Sequence, residues 1–464
     1  MLGSTACAML FKRHFLLHII AIFVYNESML DIKFIRENKD IVQTGAKKKR
    51  IEIDVEKLIA LDDTRLGELK EVEELRGEVN RVSNDIARDQ DSAVKIQLIE
   101  EMRAVKEEIK AKEEKLKKTV EEWQKMMLKI PNIPSVDTPE GSDEKSNQVL
   151  RSWGEKPQFS FPPKEHYELG KTLGIIDTET AAEVASSRFS YLKGDLVLMQ
   201  FALIQVCLEI LTSEETLKKI ADESDISVVP SKFIPVVPPV FIRPLVQVKM
   251  ARFMTPEDHY MFPGDDLMLI GSAEHTLGSM HMNKIFSESD LPIRYVGYST
   301  AFRREAGAAG KDTNGILRQH QFDKLEMEAF SLPENSMQEQ NFFVAIQEYI
   351  LKTLKLPYQV VAVCTGDMGF PDNRQIDMET WMPGQNKYRE THSADSTGGF
   401  QSRRLNTRVR RSDGKIEPVH MNDATVIAIG RTLIAIIENY QQADGSIKIP
   451  EVLRKYMGGK EFIK

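Results

Sequence analysis

The sequence predicts an α+β protein, with an N-terminal antiparallel helical coiled-coil arm followed by an antiparallel β-sheet flanked by helices. Three observations predict it. Between about Arg65 and Lys129, Glu, Lys and Arg dominate, proline is absent and glycine scarce, which is helix composition. From about Tyr167 onward, short β-branched and aromatic runs take over. These runs lie close together without the long crossovers of βαβ units, which favours antiparallel pairing over a doubly wound sheet. A chain of 464 residues holds two to three domains at roughly 150 residues each.

Residues 1 to 28 contain FKRHFLLHIIAIFVY, a basic patch and an apolar run interrupted by His18 and ended by Asn26. Spanning a bilayer takes about 20 apolar residues, so this run is too short, and no later stretch is long enough. It resembles a secretory h-region, but a start at Met29 is the plainer reading. Residues 1–28 are therefore expected to be a non-native or disordered extension. Residues 29–131 then form the arm domain. Short helices in DIKFIRENKDIVQTGAKKKRIEIDVEKLIALD close its base. Val72, Leu75, Val79, Val82 and Ile86 step by three and four, ARDQDS around residues 87 to 92 breaks the pattern, and Met102, Val105, Ile109, Leu116, Val120, Trp123 and Met127 resume it. A narrow apolar seam on each of two charged rods is the pattern of an antiparallel helical hairpin. The prolines of IPNIP end it.

Residues 132–165, rich in Pro, Ser, Gly and charge, read as a linker. Residues 166–464 read as a second domain of mixed α and β pattern. GDLVLMQFALIQVCLEILTS predicts a helix with a broad apolar face. FIPVVPPVF, DDLMLIGSAE, IRYVGYSTAF, FDKLEMEAFSL and YQVVAVCTGD predict strands. NDATVIAIGRTLIAIIENYQ predicts a late, largely buried helix, and RRLNTRVRR a strand whose arginines either pair with acids or meet nucleic acid. The cysteines Cys7, Cys207 and Cys364 are widely separated and contain no Cys-x-x-Cys pair, so neither a disulfide framework nor a zinc site is expected. That points to a reducing, cytoplasmic compartment.

The chemistry concentrates in FRREAGAAGKDTNGILRQHQFDKLEMEAF, residues 302 to 330. The chain as a whole is acidic, with 62 Lys+Arg against 70 Asp+Glu and a net charge of -8. Gathering Arg303, Arg304 and Arg318 around one small-residue loop therefore implies an anion. A guanidinium grips phosphate or carboxylate bidentately, and Phe322 offers a face on which a base can stack. KKKR at 47 to 50 and KAKEEKLKK at 110 to 118 are locally basic candidates for nucleic-acid contact.

FRREAG…RQHQF resembles motif 2 of class II aminoacyl-tRNA synthetases, VVPPVF with Pro239 resembles motif 1, and AIGRTLIAIIENYQ with Arg431 resembles motif 3. More narrowly, residues from about 29 to 457 resemble a seryl-tRNA synthetase of the bacterial and eukaryotic type. CTGDMGFPDNRQIDMETWMPGQNKYRE, RRLNTRVRR and the position of the arm share in the likeness. The resemblance implies a homodimer that uses ATP and Mg2+ to activate L-serine and load it on tRNA(Ser), with tRNA(Sec) a further candidate acceptor. It implies Arg303, Glu390 and Arg431 as the catalytic set, and Arg303, Arg304, Glu305, Gln319, Phe322, Glu390, Thr391, His392, Ser393 and Arg431 around ATP. Glu390 and Ser393 would hold the metal. Ser272, Ala273, Glu274, Arg303, Glu326 and Thr425 would hold serine.

The sequence departs from the family at a few positions. Ser272 stands where the family has Thr, Asp423 where it often has Asn, Val426 at a usually small position, and Gly399 where an acid is common. Asp423 is expected to accept a hydrogen bond from Thr425 or nearby main chain. Two other readings remain open from sequence: a class II relative that activates another small amino acid or loads a carrier protein, and a non-catalytic RNA-binding paralogue.

Overall fold

The computed structural model describes residues 30–88, 91–252, 256–262, 264–305 and 314–464. The expectations for residues 1–28 and for most of the loop from Ala306 to Gly315 lie outside these. The chain divides into two compact units between Pro131 and Asn132.

The first unit is the helical arm. Short helices Ile32–Glu37 and Lys39–Lys48 precede two long ones, α1 (Val55–Arg88) and α2 (Ser92–Leu128). Asp91 caps α2, its carboxylate accepting from the Ala93 N–H at 2.8 Å. The seam residues named above are all buried or half-buried, among mostly exposed charged positions. Across the seam Arg76 meets Glu113 at 2.6 Å and Lys112 meets Glu71 at 2.9 Å. Exposed pairs of this kind add little stability, so the seam sets the register. At the base, buried Asp62 accepts from Arg36 and Arg65, whose guanidinium also lies over Trp123.

The second unit is built on an eight-stranded sheet: β1 (Gln148–Trp153), β2 (Ile234–Val236), β3 (Ile293–Phe302), β4 (Gln321–Ser331), β5 (Tyr358–Ala362), β6 (Arg374–Met382), β7 (Lys387–Gly398) and β8 (His420–Ala428). Its order is β1-β5-β6-β7-β8-β4-β3-β2, antiparallel throughout except at the β2–β3 edge. One face is apolar. Leu325, Met327 and Ala329 of β4, Ala394 of β7 and Ala424, Val426 and Ile427 of β8 join the main core. Helices α3 (Asp195–Leu211), α4 (Ser336–Thr353) and α5 (Ile429–Asn439) supply the rest of it. Strand alternation therefore sends Phe322, Lys324, Glu326 and Glu328 to the opposite face. The functional site is there.

Three sequence expectations change. The segment expected to be a linker carries β1, an edge strand whose six residues are all exposed, and the Asn132 amide donates to Pro371 O and Thr397 O at 2.8 Å each. Main-chain pairing makes this strand, so its composition gives little sign of it. The run read as one late helix is β8 as far as Ala428 and helix only from Ile429. A continuous apolar run does not distinguish strand from helix by periodicity, and Thr425, Val426 and Ile427 are β-branched. RRLNTRVRR is likewise split, into a short helix, Phe400–Leu405, and a strand, Arg408–Arg410. No single helix among the described residues is long and apolar enough to cross a membrane.

Candidate active site

Arg303 leaves the end of β3, and its main-chain N–H donates to His320 O at 2.9 Å, which closes the base of the loop. Its Nε donates to Gly271 O at 3.0 Å, and its guanidinium lies 5.2 Å from the Phe322 ring centroid. Burial pulls the Arg303 pKa below its ordinary value; Glu274 opposes that pull and Arg431 adds to it. Arginine remains charged nonetheless. Arg431, in the first turn of α5, donates from Nη1 to Glu390 O at 2.8 Å and stands 3.1 Å from Glu390 Oε2. Burial would raise the Glu390 carboxyl, but Arg431 holds it below its usual range.

Between these groups lies a cleft of about 650 Å³, open to solvent, whose walls include Arg303, Glu305, Gln319, Phe322, Glu390 and Arg431. Glu305, in the left-handed region at φ 52°, accepts from Arg318 at 2.6 Å. Gln319 donates to Ser190 Oγ at 2.7 Å. Thr391 and Thr425 also reach the cleft. Arg304 is absent from its walls: its N–H donates to Asp258 O, and its guanidinium faces the Tyr260 ring at 5.9 Å.

A β-bulge at Thr391 decides which β7 side chains face the site. Glu379 pairs with Glu390, and the next β6 residue, Met378, pairs with His392. The extra residue puts Glu390 and Ser393 on the same face and turns His392 towards the core beside Met378. Buried His392 has its pKa pushed down to about 3 by desolvation, and its Nδ1 lies 2.8 Å from Thr391 Oγ1. The expectation that His392 touches ATP is thus corrected, since its ring is on the other side of the sheet. Ser393 Oγ donates to Asp395 at 2.9 Å.

Deeper along β4, Lys324 Nζ stands 2.7 Å from Glu326 Oε2 and donates to Ser272 Oγ at 3.2 Å. Ser272 Oγ is 3.1 Å from Glu274 Oε2, and Thr425 Oγ1 donates to Glu326 Oε1 at 3.5 Å. Ala273, fully buried, precedes the short helix Glu274–Gly278. Burial alone would raise the Glu274 carboxyl, but Arg252 and then Lys324 hold it well below its usual range. Glu326, by contrast, is raised by burial despite Lys324. One carboxylate is therefore strongly anionic and its neighbour less so.

The structure thus gathers Arg303, Glu305, Gln319, Phe322, Glu390, Thr391, Thr425 and Arg431 at one cleft, with Ser272, Glu274 and Glu326 beneath it. Two departures are resolved as well. Val426 is a second bulge residue, buried in the core and turned away from the pocket. Asp423 accepts from Arg252, at 2.9 and 2.8 Å, rather than from Thr425. Sequence reading missed Lys324, Asp377 and Arg252. Lys324 was visible in the alternation Phe322-x-Lys324-x-Glu326. Asp377, whose carboxyl burial and then Glu390 push well above its usual range, sits opposite Ser393 in the ladder. Arg252 is isolated in sequence and carried no signal.

A β-sheet with one face on helices and the other carrying two opposed arginines, a stacking ring and paired carboxylates defines a class II aminoacyl-tRNA synthetase core. Residues 260–440 match the tRNA synthetase class II core domain (G, H, P, S and T) family. Residues 29–134 match the seryl-tRNA synthetase N-terminal domain. The chain belongs to the seryl-tRNA synthetase family. It is 41% identical over 438 residues to the serine--tRNA ligase of Thermodesulfovibrio yellowstonii, covering 93% of this chain and 99% of the relative. To that of Citrifermentans bemidjiense it is 40% identical, covering 94% and 100%. Its structure resembles the seryl-tRNA synthetase of Pyrococcus horikoshii complexed with ATP, at TM-score 0.80 and 35% identity over 94% of this chain and 99% of that one. It also resembles the cytoplasmic enzyme of Naegleria fowleri in complex with AMP, at TM-score 0.77 and 29% identity, covering 95% and 99%.

Proposed function

We propose that the chain activates L-serine with ATP to seryl-adenylate and transfers the serine to tRNA(Ser), as a cytoplasmic homodimer. The observation that carries the reading is the pair of guanidiniums, Arg303 and Arg431, brought to one cleft from β3 and α5. The serine carboxylate attacks the α-phosphorus of ATP, negative charge builds on the phosphoryl oxygens, and pyrophosphate leaves. Two fixed cations stabilise that charge without reorganising at the moment of reaction. Phe322 stacks the adenine, with Gln319 beside its edge. Arg303 serves both the α-phosphate and the amino-acid carboxylate, and Arg431 the far end of the triphosphate.

No nucleophilic side chain is needed. Positioning and charge do most of the work. Strongly anionic Glu274, with Glu326, takes the α-ammonium, while Ser272 and Thr425 offer hydroxyls to the serine side chain and leave no room for a larger one. Glu390 and Ser393 suit a hard divalent cation, because the bulge puts both oxygen-bearing side chains on one face. Magnesium bound there would neutralise phosphate charge. Homodimerisation rests on the likeness of VVPPVF to motif 1.

The test is amino-acid-dependent ATP–pyrophosphate exchange with all twenty amino acids, followed by charging of tRNA(Ser). Exchange with serine alone is expected. Exchange with another amino acid, or with none, would overturn the reading.

A further inference from the structure

A row of carboxyl groups crosses the sheet beside the amino-acid pocket. Asp395 of β7 pairs with Asp423 of β8, and Asp423 pairs with Glu328 of β4. All three are buried on the polar face. Like charges directly opposite one another in a ladder destabilise a sheet, and buried carboxylates need compensation.

Arg252 compensates most of the row. Its Nη2 donates to both oxygens of Asp423, at 2.9 and 2.8 Å, and to Asp395 at 3.3 Å, while Nη1 donates to Asp372 at 2.9 Å. Its Nε stands 3.2 Å from Glu274 Oε1. Glu328 is left out. Neither of its oxygens has a hydrogen-bond partner among the described residues, and the Met250 and Met421 methyls crowd the same space beside Gly278. Burial and then Asp423 push its carboxyl well above the usual range.

The geometry next to the pocket gives this network a consequence for the substrate. Glu274, Glu326 and Asp423 each offer an oxygen within 4.8 Å of the others. An ammonium seated on Glu274 and Glu326 is therefore within reach of a third carboxyl group, and an uncapped Asp423 would compete for it.

We infer that Arg252 is a positioning residue for the amino acid: by capping both oxygens of Asp423 it confines the substrate ammonium to Glu274 and Glu326. The inference rests on the serine-activating function above. Arg252 and Asp423 thus work as a unit, and the aspartate takes no part in binding while the arginine holds it. Asparagine at 423 would leave Arg252 Nη2 without the carboxylate whose two oxygens it holds, and Glu274, already 3.2 Å from Nε, is next in line to be drawn towards it.

The test is steady-state pyrophosphate exchange by the full-length protein and its Asp423→Asn, Arg252→Lys and Arg252→Met variants, with L-serine and with L-2,3-diaminopropionate, a serine analogue bearing a second ammonium. In Asp423→Asn and Arg252→Lys the KM for serine should rise about fivefold or more while the KM for ATP stays within about twofold, the signature of a lost ground-state amino-acid contact. A lysine ammonium has one nitrogen where the guanidinium uses three, Nε, Nη1 and Nη2, to reach four carboxyl groups. In Arg252→Met, exchange with diaminopropionate relative to serine should rise about tenfold, because freed Asp423 binds the second ammonium, and in Asp423→Asn it should not. An unchanged serine KM in both Asp423→Asn and Arg252→Lys, or serine and ATP KM values rising together, would overturn the inference. If Arg252→Met does not fold, those two variants decide. Wild-type protein without serine exchange would instead sink the functional reading itself.

Discussion

Arg303 and Arg431 are both half-buried, and each is held by a main-chain carbonyl as well as by charge, Arg303 by Gly271 O and Arg431 by Glu390 O. Their positions are set before any phosphate arrives, which is what makes an electrostatic contact catalytic rather than merely adhesive. Arg303→Ala or Arg431→Ala should lower adenylate formation on the order of 10²-fold or more, as loss of one preorganised donor does elsewhere. Single-turnover formation of seryl-adenylate is the measurement, and near-normal rates in both variants would remove these arginines from the mechanism. Their importance was legible from the sequence because both lie in ordered motifs. The contribution of Arg252 was not, since its partners at 274, 372, 395 and 423 are brought together only by the fold.

At the scale of elements, the cleft is braced from behind by a connection the sequence reading did not contain. Glu438, near the end of α5, lies 3.3 Å from His166 Nδ1 and accepts from Gly384 N at 2.9 Å. His166 Nε2 in turn accepts from the Ile316 N–H at 3.1 Å, which fixes the proton on Nδ1. Gly315 has to be glycine here: its φ is +67°, and a Cβ would fall 2.0 Å from His166 Nε2. The helix that carries Arg431 is thereby tied to the segment that re-enters the cleft at Ile316 and Leu317. His166→Ala leaves a buried N–H unpaired, a cost of about 1–3 kcal/mol. It should raise the KM for ATP several-fold and leave that for serine nearly unchanged, with His166→Gln recovering part of the loss. Equal rises in both constants would show general damage instead. Bulges explain why other parts of the site were illegible. Plain alternation along β7 would put Glu390 and His392 on one face, and only the extra residue at Thr391 swaps His392 for Ser393. The alternation of β4, which has no interruption at Phe322, Lys324 and Glu326, could be read directly.

At the scale of the whole molecule, the two units answer to different physics. The arm buries a narrow seam, and most of its residues from Val72 to Met127 could be named in advance because a period of three and four is visible in a charged background, while Leu69 and Leu98, also half-buried, were not. All the proposed ATP and serine contacts lie beyond residue 230, in the second unit. Shortening the hairpin beyond Val79 on α1 and Ile109 on α2, and closing it with a short turn, keeps the Arg76–Glu113 and Lys112–Glu71 pairs and the seam beneath them. It removes charged surface and the distal seam, and it touches no strand of the sheet. Serine-dependent pyrophosphate exchange should therefore survive this cut. Transfer of serine to tRNA should fall steeply, and the residual transfer should depend less on salt, because fewer phosphate contacts release fewer counterions. The measurement is charging of tRNA(Ser) across a salt series beside exchange in the same preparations. If exchange and transfer fell together in a variant that still folds, the distal arm would be serving the chemistry itself, and its role as the tRNA-holding element would have to be given up.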